Sequence, residues 1–397
     1  MSLSTLPLSY CTNVHPGLTV AAVQDGLQTY TGPVRRKLNA PLAAGLWLPE
    51  PVIRELRSEP ARLDALRKTL RDEGLVCYTL NAFPYGNFHS ERVKENVYLP
   101  DWTDDRRRLY TEECAVVLAE LMPEGVEGSI STVPLGFKPL SGRDGFEEAC
   151  IAQLIRLARF LDNLHDDTGQ VIRLAIEPEP CCVLETTAET IAFFGRLRDA
   201  ADKQGAGEAV RRHLGVCYDV CHQAVEFEDV PASIRDFTQA GIRINKLHIT
   251  CAIEVDAPQE ADVRAELANF VEPRYLHQTF ARSSDGRVVN VVDLTPELCR
   301  NPDGEFAAAP RWRVHFHVPV NAVNVGRLKT TRPDLERALG AVAALEYAPH
   351  LEVETYTWGV LPSGEKPDLV EGLLRELTAT GVLLGNLRLG ASGLLEV

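Results

Sequence analysis

No stretch of the 397-residue chain is apolar for long enough to cross a bilayer, so no membrane segment is expected. Basic residues are in deficit. The chain has 41 Lys plus Arg against 56 Asp plus Glu, a formal net charge of −15. A broad nucleic-acid or membrane surface requires a Lys/Arg-rich face, so neither partner is expected. The opening residues, Met1-Ser2-Leu3-Ser4, lack the basic and apolar regions of a secretory signal. The expected location is the cytoplasm. No C-x-x-C pair occurs among the ten cysteines, and Cys217 and Cys221 have weak spacing for zinc. Most lie in apolar runs and read as buried, reduced thiols. There is no Gly/Ser-rich linker, no internal repeat and no low-complexity tract.

The composition is that of a folded chain, with 45% hydrophobic and 24% charged residues. Length alone suggests two or three domains, but α/β barrels often exceed 250 residues as one domain. Short apolar runs alternate with helical patterns. The runs fall at 8–13, 44–48, 75–80, 129–133, 173–176, 214–218, 246–249 and 351–354. Helical spacing falls at 19–30, 54–71, 104–121, 147–164, 189–201, 232–240 and 368–378. In 104–121 Leu109, Ala115, Val116 and Leu118 form the expected apolar side. In 147–164 it is Ile151, Leu154, Ile155, Ala158 and Leu161.

Repeated βα units mean parallel strands joined by helical crossovers, and eight of them predict a (β/α)8 TIM barrel. An open doubly wound sheet is the rival. It is weakened by the absence of Gly-x-Gly-x-x-Gly after the first strand. The whole chain, 1–397, reads as one barrel. Residues 251–345 are too many for a crossover and read as an insertion between strands seven and eight, folded over the barrel's C-terminal face. The insertion has a helix-like piece at 260–268 and strand-like runs at 288–292 and 313–318. A second arrangement makes 312–318 a barrel strand and demotes 44–48.

The late strands end in ionisable residues: Glu177, Asp219 with His222, His248, and Glu352 with Glu354. In a barrel these ends converge on one face, where active sites lie. Carboxylates and imidazole together suit a divalent cation such as Mn, Zn, Co, Fe or Mg. An ion-pair network is the alternative, and Lys246 is the one cation near these ends in sequence. Early strands add polar groups: Asn13 and His15 after the first, and Asn81 and Tyr85 after the third. His89, Lys94 and Trp102 follow in a loop, and Lys138 follows strand four. Amides and an aromatic suit a small polyol or cyclic metabolite, and Lys94 or Lys138 could receive a phosphate.

The order Glu177, Asp219-x-x-His222, His248 and a terminal Glu resembles the xylose-isomerase-like TIM-barrel superfamily of sugar isomerases, epimerases and endonuclease IV-like proteins. More narrowly, the chain resembles the EboE group of metabolite-traffic barrel proteins. That resemblance is carried by 81–89, 97–102, 313–319 and 351–358 and covers essentially the whole chain. The superfamily resemblance implies a metal held by Glu177, Asp219, His248 and Glu354. It also implies proton exchange by Glu177 and Glu354, with His222 orienting a substrate hydroxyl. Glu352 points to the same side as Glu354, but Glu354 is nearer the strand end. His315 and His317 depart from the one-metal epimerases and could support a second metal, because endonuclease IV-like proteins carry an Asp-x-His after strand seven.

Three functions follow from these residues. The first is a metal-dependent isomerase or epimerase acting on a small, sugar-like hydroxylated carbonyl compound by enediolate proton transfer. The second is a multi-metal phosphoesterase of a small metabolite. The third is a non-catalytic metabolite-binding or traffic protein. The first is the expectation, with a polyhydroxylated small molecule as substrate.

Overall fold

The computed structural model describes residues 5–362 and 368–392. Eight apolar runs become the staves of a closed parallel barrel: β1 (Ser9–Cys11), β2 (Leu42–Trp47), β3 (Leu75–Val76) continued by β4 (Thr79–Asn81), β5 (Gly128–Thr132), β6 (Ile172–Ile176), β7 (Leu214–Asp219), β8 (Ile244–Ile249) and, last in the chain, a stave over His350–Val353. The third stave is broken at Cys77–Tyr78, where the Tyr78 hydroxyl donates to the Pro7 carbonyl at 2.6 Å. Closure comes from β1, which pairs with both β2 and the last stave. The run at 44–48 is therefore a barrel strand, and the arrangement that demoted it is overturned.

Helices cover the outside. Phe146–Thr168 buries Leu154, Ile155, Ala158 and Leu161, as its spacing predicts. Asp105–Leu121 buries Ala115 and Leu118 of the expected side and half-buries Val116, but its inward face is centred further round. Arg107, Tyr110, Cys114 and Leu118 are buried, while Leu109 is 49% exposed. These positions recur at i, i+3, i+7 and i+11, and the guanidinium of Arg107 is why a charged residue joins them. It donates to the carbonyls of Pro100, Ala82 and Phe83 at 2.7–3.0 Å, tying the long loop after β4 to the barrel.

Between β8 and the last stave the chain builds a second, antiparallel sheet. Its strands are β9 (Cys251–Val255), β10 (Thr279–Arg282), β11 (Val288–Val291), β12 (Arg311–Val318), β13 (Asn324–Val325) and β14 (Leu328–Thr330), which makes the last stave β15 (His350–Val353). The order is β11-β10-β12-β9-β14-β13. The run at 313–318 belongs to this sheet and not to the barrel.

Register places the polar residues. Asp219 pairs with His248, and His248 with Glu352, across β7, β8 and β15. Ser9 of β1 pairs with Glu352 on its other side. Gly45 on β2 leaves room for the Glu352 carboxylate, since a Cβ there would lie 1.5 Å from its Oε2. All ten cysteines are buried and unpaired. No helix of the described residues is long and apolar enough to cross a membrane.

Candidate metal centre

Three carboxylates and one imidazole meet at the C-terminal end of the barrel. Glu177 follows β6, Asp219 ends β7, His248 lies in β8 and Glu354 follows β15. One donor atom from each lies within 4.8 Å of all the others, and all four residues are buried. His248 Nδ1 is the hub, 3.1 Å from Glu177 Oε1, 3.0 Å from Glu354 Oε2 and 3.4 Å from Asp219 Oδ2.

Each carboxylate is held by its other contacts. Asp219 Oδ1 accepts from the Thr250 hydroxyl at 2.6 Å and from the backbone N–H of His222 at 3.2 Å, capping the short helix Val220–Val225. Its Oδ2 is buried without a hydrogen-bond partner. Glu354 Oε1 accepts from Asn13 Nδ2 at 2.8 Å. Burial alone would raise the Asp219 pKa. The imidazoles of His222, His317 and His248 outweigh burial and hold it well below the usual carboxylate range. Burial likewise works against the charged form of Glu354, but His248 holds its pKa down. For His248 burial favours the neutral ring, and the neighbouring Cys217, Glu354 and Glu177 overcome it, raising its pKa well above the ordinary value. A charged His248 balances only part of three buried carboxylates and leaves Asp219 Oδ2 without a hydrogen bond, so a divalent ion that displaces the His248 proton would complete the site. The donor set therefore fits a divalent ion. The nearby thiols do not compete. Burial pushes Cys217 up to about 12 and Cys221 well above its ordinary value.

A layer of imidazoles lies against this cluster. His222 Nδ1 donates to the Pro178 carbonyl at 3.0 Å, His315 Nδ1 to Gln278 Oε1 at 2.7 Å, and His317 Nδ1 to the Glu354 carbonyl at 2.9 Å. These bonds leave the Nε2 lone pairs of His315 and His317 free, while for His222 burial is outweighed by Asp219, Glu179 and Glu177, which raise its pKa and favour the charged ring. The Nε2 atoms of His315 and His317 face each other at 3.2 Å. Those of His222 and His317 each lie 4.0 Å from Asp219 Oδ2. Burial, reinforced by the neighbouring rings, lowers the pKa of His315 well below its ordinary value. Burial also lowers that of His317.

Beneath the cluster, Lys246 and Glu352 are fully buried 2.7 Å apart. Asn81 donates to Glu352 Oε1 at 2.8 Å and accepts from Lys246 Nζ and the Ser131 hydroxyl, each at 2.9 Å. Ser9 donates to Glu352 Oε2 at 2.7 Å. Burial works against the charge, yet Lys246 and His248 draw the Glu352 carboxyl down to about 2. Glu352 is thus committed to Lys246. Among the β15 carboxylates it is Glu354 that stands in the donor cluster.

Structural comparison covers nearly the whole molecule. An L-ribulose 3-epimerase matches over 99% of this chain and 99% of its own, with a TM-score of 0.53 at 12% identity. A D-tagatose 3-epimerase-like protein matches over 97% of this chain and 100% of its own, with a TM-score of 0.52 at 10% identity. The chain shares the (β/α)8 TIM-barrel fold of these proteins. No family model matches it, and no curated protein matches it in sequence.

The barrel gathers some of the expected polar residues at its mouth and leaves others aside. Asn13, Asn81, His222, His315 and His317 line the pocket with Glu177 and Glu354. His15 does not reach it. Its Nε2 bonds the Tyr10 hydroxyl at 2.8 Å and its ring stacks on Tyr30. Tyr85 packs on Tyr110 beside Arg107, away from the pocket. His89 acts at one remove, with Nε2 2.8 Å from the Asn13 carbonyl. Lys138 is paired with Glu185 and Glu189. Trp102 is buried, its indole N–H on the Thr132 hydroxyl at 3.2 Å. Lys94 lines the pocket, but its ammonium binds the Tyr275 and Glu272 carbonyls and Asp293 at 2.6–3.1 Å.

One pocket carboxylate went unassigned in the sequence. Glu179 is buried beside His222. Burial pushes its carboxyl up to about 7, against the pull of His222 and the Tyr98 hydroxyl that donates to it at 2.7 Å. The alternation in Glu177-Pro178-Glu179 is the signal that could have found it.

Proposed function

We propose that this barrel is a metal-dependent isomerase or epimerase of a small hydroxylated carbonyl compound, with Glu177, Asp219, His248 and Glu354 holding the metal. The observation that carries the reading is the meeting of these four buried donors around His248 Nδ1, with Asp219 Oδ2 left unpartnered. The sugar epimerases among the structural relatives support it as analogy. A divalent ion bound there supplies positive charge for the oxygens of a hydroxy-ketone as it loses a proton. Glu177 and Glu354 exchange that proton. One carboxylate removes it from the carbon beside the carbonyl, and the other returns one from its own side. Asn13 fixes Glu354 for this work, and His222 orients a substrate hydroxyl.

The facing Nε2 atoms of His315 and His317, with His222 close by, favour a second reading: a second cation beside the first, and phosphoester hydrolysis. Plasma mass spectrometry on protein purified without chelator or affinity-tag metal separates the two. About one ion per chain is expected for the isomerase and two or more for the phosphoesterase. Incubation of the loaded protein with ketoses and hydroxy-ketones in D2O should then place deuterium on carbon, and Glu177→Gln should abolish it. Ligand binding that survives Glu177→Gln and Glu354→Gln, with no deuterium uptake by wild type, would make the barrel a carrier.

A further inference from the structure

The floor of the pocket is polar, but its walls are not. Above the donor cluster lies a pocket that opens to solvent at its mouth. Its sides are formed by Phe83, Phe88, Val93 and Val97 from the loop tied down by Arg107, and by Tyr275 and Leu276 from the inserted segment. Two of the tyrosine hydroxyls among the lining residues are engaged. The Tyr275 hydroxyl donates to the Phe88 carbonyl at 3.2 Å and the Tyr98 hydroxyl to Glu179 at 2.7 Å. Lys94, the one Lys or Arg among the lining residues, spends its three donors on Glu272, Tyr275 and Asp293. At the floor, Asn13 Oδ1 is buried and unpartnered, an acceptor for one hydroxyl.

A hydroxyl moved from water to an apolar wall without a partner costs roughly 1–3 kcal/mol, so a carbinol that faces these walls, beyond reach of Asn13 and the floor imidazoles, would weaken binding. A phosphate lying along the walls would find no free Lys or Arg. We propose that the substrate presents its hydroxy-ketone to the Glu177–Asp219–His248–Glu354 floor and lays an uncharged, apolar body, an aromatic or alicyclic ring, along the Phe83–Val97–Leu276 wall. This narrows the substrate class of the isomerase reading and rests on it for the hydroxy-ketone end. The wall itself is independent of the metal.

The test uses four probes on the full chain: 2-hydroxyacetophenone, which has body and chelating end; acetophenone, which has the body alone; D-fructose; and D-fructose 6-phosphate. Affinities are measured by calorimetry on metal-loaded and metal-free protein. 2-Hydroxyacetophenone should bind the loaded protein at least about tenfold more tightly than either sugar. Acetophenone should bind the metal-free protein while fructose does not. Phe83→Ser or Val97→Asn, both half-buried positions, should each weaken the aryl probes about tenfold or more and leave metal content unchanged. Fructose or its phosphate binding as tightly as 2-hydroxyacetophenone, or aryl binding indifferent to both wall variants, overturns the proposal. Failure to take up metal would defeat the isomerase reading, and acetophenone binding to metal-free protein would still decide the nature of the wall.

Discussion

The ammonium of Lys246 lies 2.7 Å from the Glu352 carboxylate in the barrel interior, both fully buried, and Glu352 Oε1 lies 3.4 Å from His248 Nε2. The pair occupies the level just below the donor cluster and backs the side of His248 opposite Nδ1. A charge in such a place is tolerated only with its partner. Lys246→Met should destabilise the protein by about 3–5 kcal/mol, because it strands a buried carboxylate, and Glu352→Gln should do the same to the ammonium. The double variant should cost much less than the sum of the two. Urea unfolding of all four proteins gives the coupling, and additive losses would contradict the pairing.

Asp219 separates a structural duty from a binding one within a single carboxylate. Its Oδ1 caps the helix and accepts from Thr250, and an amide oxygen can do both, while Oδ2 has no partner. Asp219→Asn should therefore fold, with a metal-free Tm at or above that of wild type. It should lose the stabilisation by added Mn or Zn. At a metal concentration where wild type gains about 2.7 kcal/mol, the variant should gain less than half of that. Thermal melts with and without metal provide the comparison.

Glu376, on the helix Leu369–Ser392, accepts from the Thr355 hydroxyl, the Val320 N–H and the Trp358 indole N–H at 2.6–3.0 Å. Burial nonetheless pushes its carboxyl up from 4.5 to about 7. The folded protein then holds a proton there that the unfolded chain has already lost. This contribution is fully present below the unfolded value of 4.5 and fades as pH rises through 7. The loss amounts to about 3 kcal/mol between pH 4.5 and pH 7.5. Glu376→Gln should flatten that slope, seen as the difference between wild-type and variant urea stabilities at pH 5 and pH 8.

The barrel was legible because each stave is an apolar run bounded by turns, and that pattern survives whatever surrounds it. The helix Asp105–Leu121 was legible in extent and, at Ala115 and Leu118, in face, while Leu109 was misplaced. Arg107 looks polar in the sequence, and only the three carbonyls it reaches make it an inward residue. The acidic strand ends were visible because ionisable residues stand out after apolar strands. Whether Glu352 or Glu354 joins the donors was decided by Lys246, Asn81 and Ser9, which come from three other staves. The same holds for His15 and Lys138. Their partners Tyr30, Glu185 and Glu189 could not be assigned without knowing the packing.

The inserted sheet sets a timetable. Glu177, Asp219 and His248 leave the ribosome in close succession, but Glu354 follows His248 by 106 residues (354 − 248), most of them spent on β9 to β14. At the usual pace of synthesis that is a delay of about 5–20 s. During it the nascent chain holds three of the four donors on a barrel that still has an open seam between β1 and β8. The strand that closes the seam, β15, delivers the fourth, so the finished centre and the finished barrel are one event.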